Sequence, residues 1–263
     1  MKKLVLALSA VAAFTGSALA ADLPARTYTK APMMSPAPSW TGFYIFGGGG
    51  YGMFDSNTFV TTFPGGTPLT IGHKVGGDGY FGTVGAGYDW QFNGSWVAGI
   101  FADGQFGSIK GSLTDPLFVG GGASGSVKDR TNVAAGVRLG YLVAPNVYSY
   151  VNGGYSYAEF SGSTLLNNVS GVAFATTPSF HRNGWFVGGG VENSLNIFGF
   201  SAPGWFMKTE YRVAEYQRVN LGESFPGGGL NGFGVSVKPI VQTVSTSLVY
   251  RFNWGGAPVV AKY

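Results

Sequence analysis

Apolar and small residues recur at every second position over most of this 263-residue chain. No run beyond the first twenty residues is long and apolar enough to make a membrane-crossing helix. A helix needs about 20 apolar residues to cross a bilayer, whereas a tilted strand crosses with about 10. Period-two alternation is the pattern of a strand with two different faces. In hydrocarbon every backbone N–H and C=O must find its partner inside the protein, so strands span a membrane only when their sheet closes on itself. The pattern predicts an all-β chain forming a closed, antiparallel, eight-stranded transmembrane β-barrel. Short periplasmic turns and four long extracellular loops are expected to join its strands.

The segments at the start of the chain have other jobs. Lys2 and Lys3 precede an apolar stretch from Leu4 to Phe14, and Ala18-Leu19-Ala20 supplies small residues for cleavage. Residues 1–20 therefore read as a signal peptide for export, with Ala21 as the mature start. Its removal leaves 14 of the 16 basic residues against 12 acidic ones, so the formal charge falls from +4 to +2. Those bases are scattered rather than clustered, so nucleic acid is not an expected partner. The absence of cysteine rules out disulfides and thiolate chemistry. Residues 21–39 carry Pro24, Pro32, Pro36 and Pro38 with no apolar period and read as a Pro-rich periplasmic linker.

From residue 40 to 254 eight strand-like segments follow, near 40–54, 79–92, 95–109, 130–143, 147–160, 181–194, 204–219 and 239–254. The fourth alternates most clearly, with Val133, Ala135, Val137, Leu139, Tyr141 and Val143 on one face and Asn132, Gly136, Arg138 and Gly140 on the other. Asn93-Gly94 is a two-residue hairpin signal because both residues tolerate positive φ. Ala144-Pro145-Asn146 makes a second tight turn. Four polar, glycine-rich stretches, near 55–78, 110–129, 161–180 and 220–238, read as outward loops. The connection Leu195–Pro203 reads as too long for a minimal turn. Residues 255–263, with two glycines and Pro258, read as a tail hanging in the periplasm.

Two sets of residues stand out on these strands. Trp40, Trp90, Trp96, Trp205 and Trp254 fall at the periplasmic ends and predict an aromatic girdle at the bilayer interface. Asp89, Asp103, Arg138, Glu192, Lys208, Glu210, Arg212 and Arg251 fall on the polar faces. A lipid-facing Arg or Lys near the midplane would cost about 2–4 kcal/mol, so these charges belong inside. Eight strands enclose only enough room for side chains, so four acids and four bases predict an ion-paired plug rather than a water-filled pore.

The chain also resembles a known family. Ala21-Asp22-Leu23-Pro24-Ala25 with the proline linker, then Trp40-Thr41-Gly42-Phe43-Tyr44, resembles the mature start of the outer membrane immunogenic proteins of alphaproteobacteria. Lys208-Thr209-Glu210-Tyr211-Arg212 resembles their penultimate strand, and Leu248-Val249-Tyr250-Arg251-Phe252 their closing strand. The resemblance implies a small OmpA-like barrel in the Gram-negative outer membrane, a surface antigen without catalytic machinery. The closing strand, through Leu248, Tyr250 and Phe252, resembles the signal read by the barrel-assembly machinery. The other expected partners are outer-membrane lipid and unknown loop ligands.

Little else points to chemistry. Gly47-x-Gly49-x-x-Gly52 fits a dinucleotide fingerprint, but that motif works only between a strand and a helix. No cofactor is expected. His73 with Asp78, and His181 with Ser179, are the pairs from which a surface enzyme acting on lipid or peptide could be built, but no spacing sets a nucleophile against a base. Two lone histidines predict no metal site. The expected function is a non-enzymatic surface protein of the envelope, with a small-solute pore or ligand-uptake barrel as the alternative.

Overall fold

The computed structural model describes residues 39–117, 121–197 and 200–252. The segments expected as signal peptide, most of the linker, Trp254 and the tail lie outside the described residues. All regular structure within them is strand: β1 Gly42–Thr62, β2 His73–Phe92, β3 Trp96–Asp115, β4 Ala123–Ala144, β5 Val147–Phe160, β6 Ser163–Asn167, β7 Ala173–Thr177, β8 Phe180–Ile197, β9 Phe200–Tyr216, β10 Val219–Ser224 and β11 Leu230–Arg251. Eight of them form an antiparallel ring in the order β1-β2-β3-β4-β5-β8-β9-β11, and β11 returns to pair with β1. That last ladder runs from Tyr44↔Arg251 to Thr62↔Phe233, so neither strand is left as an open edge.

Alternation sets which side faces lipid. On β1 Phe43, Ile45, Tyr51 and Met53 are exposed while Tyr44, Phe46 and Phe54 are buried. On β4 Val133, Val137, Leu139 and Tyr141 face outward and Asn132, Ala134 and Arg138 inward. The apolar outer face ends where charges begin: Met53 gives way to Asp55, Tyr80 to Asp78 and Val133 to Arg130. About ten residues per strand therefore lie in the hydrocarbon, as a spanning strand requires.

Several strands run well past this belt. β1, β2, β3, β4 and β11 are 20–22 residues long, whereas β5 has only 14. The stretches expected as long loops are in large part these continuations. β5 stops at Phe160 and β9 at Tyr216, and the short strands take over the wall above them. β6 pairs with β4 and β7, β7 meets β10 at Thr176↔Ser224, and β10 pairs with β11. An upper storey results, in which Val60, Leu113, Val127, Leu165, Leu221, Val235 and Val237 continue the buried core of the barrel. Outside lipid the outward face can be polar, so these strands lack the two-faced apolar signature of the spanning ones.

One further reading is corrected. β8 continues to Ile197 and β9 begins at Phe200, with Asn196↔Ser201 and Ile197↔Phe200 in register, so the Leu195–Pro203 connection is a tight hairpin. A register shift after Ser194 and a positive φ at Gly204 absorb the extra residues. The Asn93-Gly94 turn has φ of 47° and 74°, as a primed hairpin turn requires. Gly47, Gly49 and Gly52 lie mid-strand in β1, with strand on both sides of them rather than a helix. On the inward side, a Cβ at Gly48 or Gly50 would collide with the carbonyls of Thr246 and Val244 on β11. Glycine there lets the first and last strands approach closely.

Candidate functional site

The barrel interior carries its charges in two layers. In the lower one, Arg138 donates from Nε to Asp89 Oδ1 at 2.9 Å and from Nη2 to Oδ2 at 2.6 Å. Its Nη1 reaches Glu192 Oε2 at 3.2 Å. Arg251 donates from Nε to the other Glu192 oxygen at 2.7 Å, and its Nη1 lies 2.8 Å from Asp89 Oδ2. Each carboxylate thus bridges both guanidiniums in a closed ring of alternating sign. The four residues come from β2, β4, β8 and β11, every second strand of the barrel. Bidentate pairing of this kind combines charge with fixed geometry.

The next layer draws on the intervening strands. Arg212 on β9 donates to both oxygens of Asp103 on β3, at 3.0 and 2.8 Å, and to Glu210 Oε1 at 2.8 Å. Glu210 also accepts from Tyr150 Oη and Asn152 Nδ2 on β5, each at 2.8 Å, and lies 3.9 Å from Lys208 Nζ. Lys208 sits 3.4 Å from the ring centre of Phe46 on β1. The structure therefore brings all eight candidate interior charges into two balanced quartets. Aromatic rings separate and cover the charges, with Arg138 over Tyr44 at 4.2 Å and Arg212 over Phe186 at 4.4 Å. Such contacts add favourable energy to desolvated cations.

Trp40 is a correction to the girdle. Trp90, Trp96 and Trp205 are exposed at the periplasmic rim, but Trp40 is only 1 % exposed. It precedes β1 and turns under the lower ring, 4.3 Å from the Arg251 guanidinium, and donates from Nε1 to the Pro145 carbonyl at 3.2 Å. Tyr148 and Phe206 pack around it. An aromatic at the end of a linker has no strand period to show which way it faces, so only its fit beneath Arg251 reveals the inward turn. Of the closing-strand residues, Leu248 and Phe252 are exposed and Tyr250 half-buried, with Ser247, Val249 and Arg251 buried.

Above the membrane the electrostatics change. Asp115, Asp129 and Glu223 are buried, and among the described residues none is in an ion pair. Asp129, four residues outward of Val133, has its carboxyl pushed up to about 7 by burial. Burial also raises Asp115, partly offset by the Leu117 amide, and Glu223, partly offset by Asn231. A cavity of only about 10 Å³ borders Asp129 and Asn132. His73 lies near Asp115, and His181 stacks on Tyr157 on the outside at 5.7 Å. The outward-facing charges form a collar at the top of the apolar belt. It has six bases (Lys74, Lys110, Lys128, Arg130, Arg218 and Lys238) and four acids (Asp55, Asp78, Glu159 and Glu215). The four tips beyond, 63–72, 116–122, 167–172 and 225–229, carry no charge apart from what lies in the strands beneath them.

No protein-family model matches the chain. It is 30% identical over 270 residues to the 31 kDa outer-membrane immunogenic proteins of Brucella melitensis and Brucella suis, covering 96% of this chain and 100% of each relative. Among solved structures, the outer membrane protein OprG of Pseudomonas aeruginosa superposes with a TM-score of 0.55 at 14% identity, over 80% of this chain and 97% of that one. The second likeness concerns the fold, and the first runs the length of both sequences. A closed ring of eight strands, an apolar belt with buried charges and a full-length relative at this identity lead to one assignment: the chain belongs to the outer-membrane immunogenic protein family and resides in the cell outer membrane.

Proposed function

We propose that this protein is a sealed, non-enzymatic outer-membrane barrel that supports the envelope and presents its upper storey for contacts at the cell surface. The observation that carries this reading is the closed Asp89–Arg138–Glu192–Arg251 ring, which ties four alternate strands together across the lumen. To pass a solute, the barrel would have to break a buried, bidentate network with another such quartet directly above it. Breaking one partner out of a buried pair costs about 3–5 kcal/mol. Eight strands also leave no spare width beside the quartets.

Reconstitution into planar bilayers tests the sealed barrel. The wild-type chain should show no steady open-channel current, whereas Arg138→Ala with Arg251→Ala should produce frequent openings. A large, steady wild-type conductance would replace this reading with the pore. Orientation has its own test: an epitope inserted at Gly227 should be reachable on intact cells and one at Gly94 should not.

A further inference from the structure

We infer that the outer rim of the barrel carries a binding site for a phosphate-bearing lipid headgroup, centred on Arg218 and Lys238 beside Trp185. The site arises where the wall changes strands. β9 ends at Tyr216, and its ladder with β11 runs outward only to Glu215↔Ile240. β10 takes up the pairing with β11 from Val219↔Val237, which leaves the short link of Gln217 and Arg218 between them. A groove of about 480 Å³ opens on the outside at this step, lined by Tyr155 and Trp185 below and by Gln217, Arg218 and Lys238 above.

The groove's position selects the ligand. Trp185 and Tyr155 stand opposite each other on the outward faces of β8 and β5, with only Tyr157 beyond them before those faces turn polar, so they mark the boundary between acyl chains and headgroups. Arg218 is preset there: its Nη1 donates to the Asn57 carbonyl at 3.2 Å and to Ser236 Oγ at 3.3 Å, and the guanidinium lies 4.9 Å from the ring centre of Phe59. Lys238 Nζ is held 2.5 Å from Glu215, so the groove keeps one positive charge in excess. A guanidinium and an ammonium over an aromatic floor match a phosphate joined to an apolar tail.

The two rims of the barrel differ in the same sense. Six bases face four acids in the outer collar, whereas the described turns of the periplasmic rim, at 93–95 and 145–146, carry no charged residue. An excess of bases at headgroup height on one side alone matches a leaflet rich in anionic lipid.

Native mass spectrometry of the refolded full chain in neutral detergent tests the site, with diphosphoryl lipid A as the probe. Heat-modifiable gel mobility shows first that each variant is folded. Arg218→Gln with Lys238→Gln should lower retention of the lipid on the order of tenfold. Trp185→Ala should weaken it less, and Lys110→Gln with Lys128→Gln, on another part of the collar, should leave it unchanged. The dephosphorylated lipid should be retained weakly by all of them, and inorganic phosphate at matched concentration should not displace the intact lipid. Equal retention by the Arg218 and Lys238 variant, or an equal loss in the Lys110 and Lys128 variant, would overturn a localised site. Displacement by inorganic phosphate would overturn the lipid as its ligand.

Discussion

Every buried charge of the membrane-spanning storey meets a charge of opposite sign, while the three buried carboxylates of the upper storey meet none. Asp89, Asp103, Glu192 and Glu210 each have at least one basic partner within 3.2 Å. Asp129 has no hydrogen-bond partner at Oδ1, and neither has Glu223 at Oε1. The surroundings explain the difference. Inside hydrocarbon neither water nor a readily exchanged proton is close at hand, so each charge has to be neutralised by a neighbour built into the fold. Above the lipid a carboxyl can take up a proton instead, and the raised affinity of Asp129 for a proton is that response.

The largest expected effect lies in the lower ring. Arg138→Met leaves Asp89 and Glu192 sharing Arg251 alone and should lower unfolding stability by about 3–5 kcal/mol. Urea unfolding in detergent measures it, and a loss under about 1 kcal/mol would mean that the interior is wet and the contrast between storeys false. The control is Tyr211→Leu, whose exposed ring bonds only Gln242 at 2.7 Å and should lose far less.

Acidity should act next most strongly, and only above the membrane. A carboxyl whose folded proton affinity is raised favours the folded state in its protonated form. That stability is fully present below about pH 4 and is lost as the pH rises through about 7 for Asp129. Between pH 8 and pH 4.5 the upper half of β4 should therefore gain about 2–4 kcal/mol, seen as amide-exchange protection at Val127 and Asp129. Asp129→Asn should remove most of that dependence. If the spanning half of β4 gains as much, the carboxyls of the upper storey are not its source.

The smallest effect sharpens the same contrast at the surface. Lys110 and Lys128 stand directly opposite each other on β3 and β4, both exposed. Lys110→Glu should stabilise the upper storey by about 0.2–1 kcal/mol, an effect that salt removes. A destabilised variant would place these side chains apart.

How much of this could be read from the chain follows the same division. The charges of the spanning strands were legible because lipid penalises an outward Arg138 or Glu210 so heavily that alternation leaves one choice of face. Their partners were not, because Asp89 meets Arg138 only after the ring closes and alternate strands come level. The upper storey went unread for the opposite reason. Val219, Leu221, Val235 and Val237 alternate as well as any spanning strand, but their outward neighbours are polar or glycine, so the pattern resembles loop. Trp40 was misplaced because it sits before the first ladder, where periodicity has not begun.

The upper storey also changes what surface recognition would demand of this protein. β1 continues nine residues past Met53, about 30 Å of strand and about 20 Å of height at a tilt near 40°. Free loops of that length would have to surrender conformational freedom on meeting a partner, at about 1–2 kcal/mol for each residue immobilised. Here the ladders have already imposed that order during folding. A partner would meet a pre-organised pedestal with only the short tips left to settle, so affinity gained by a few side chains need not be spent on ordering the backbone.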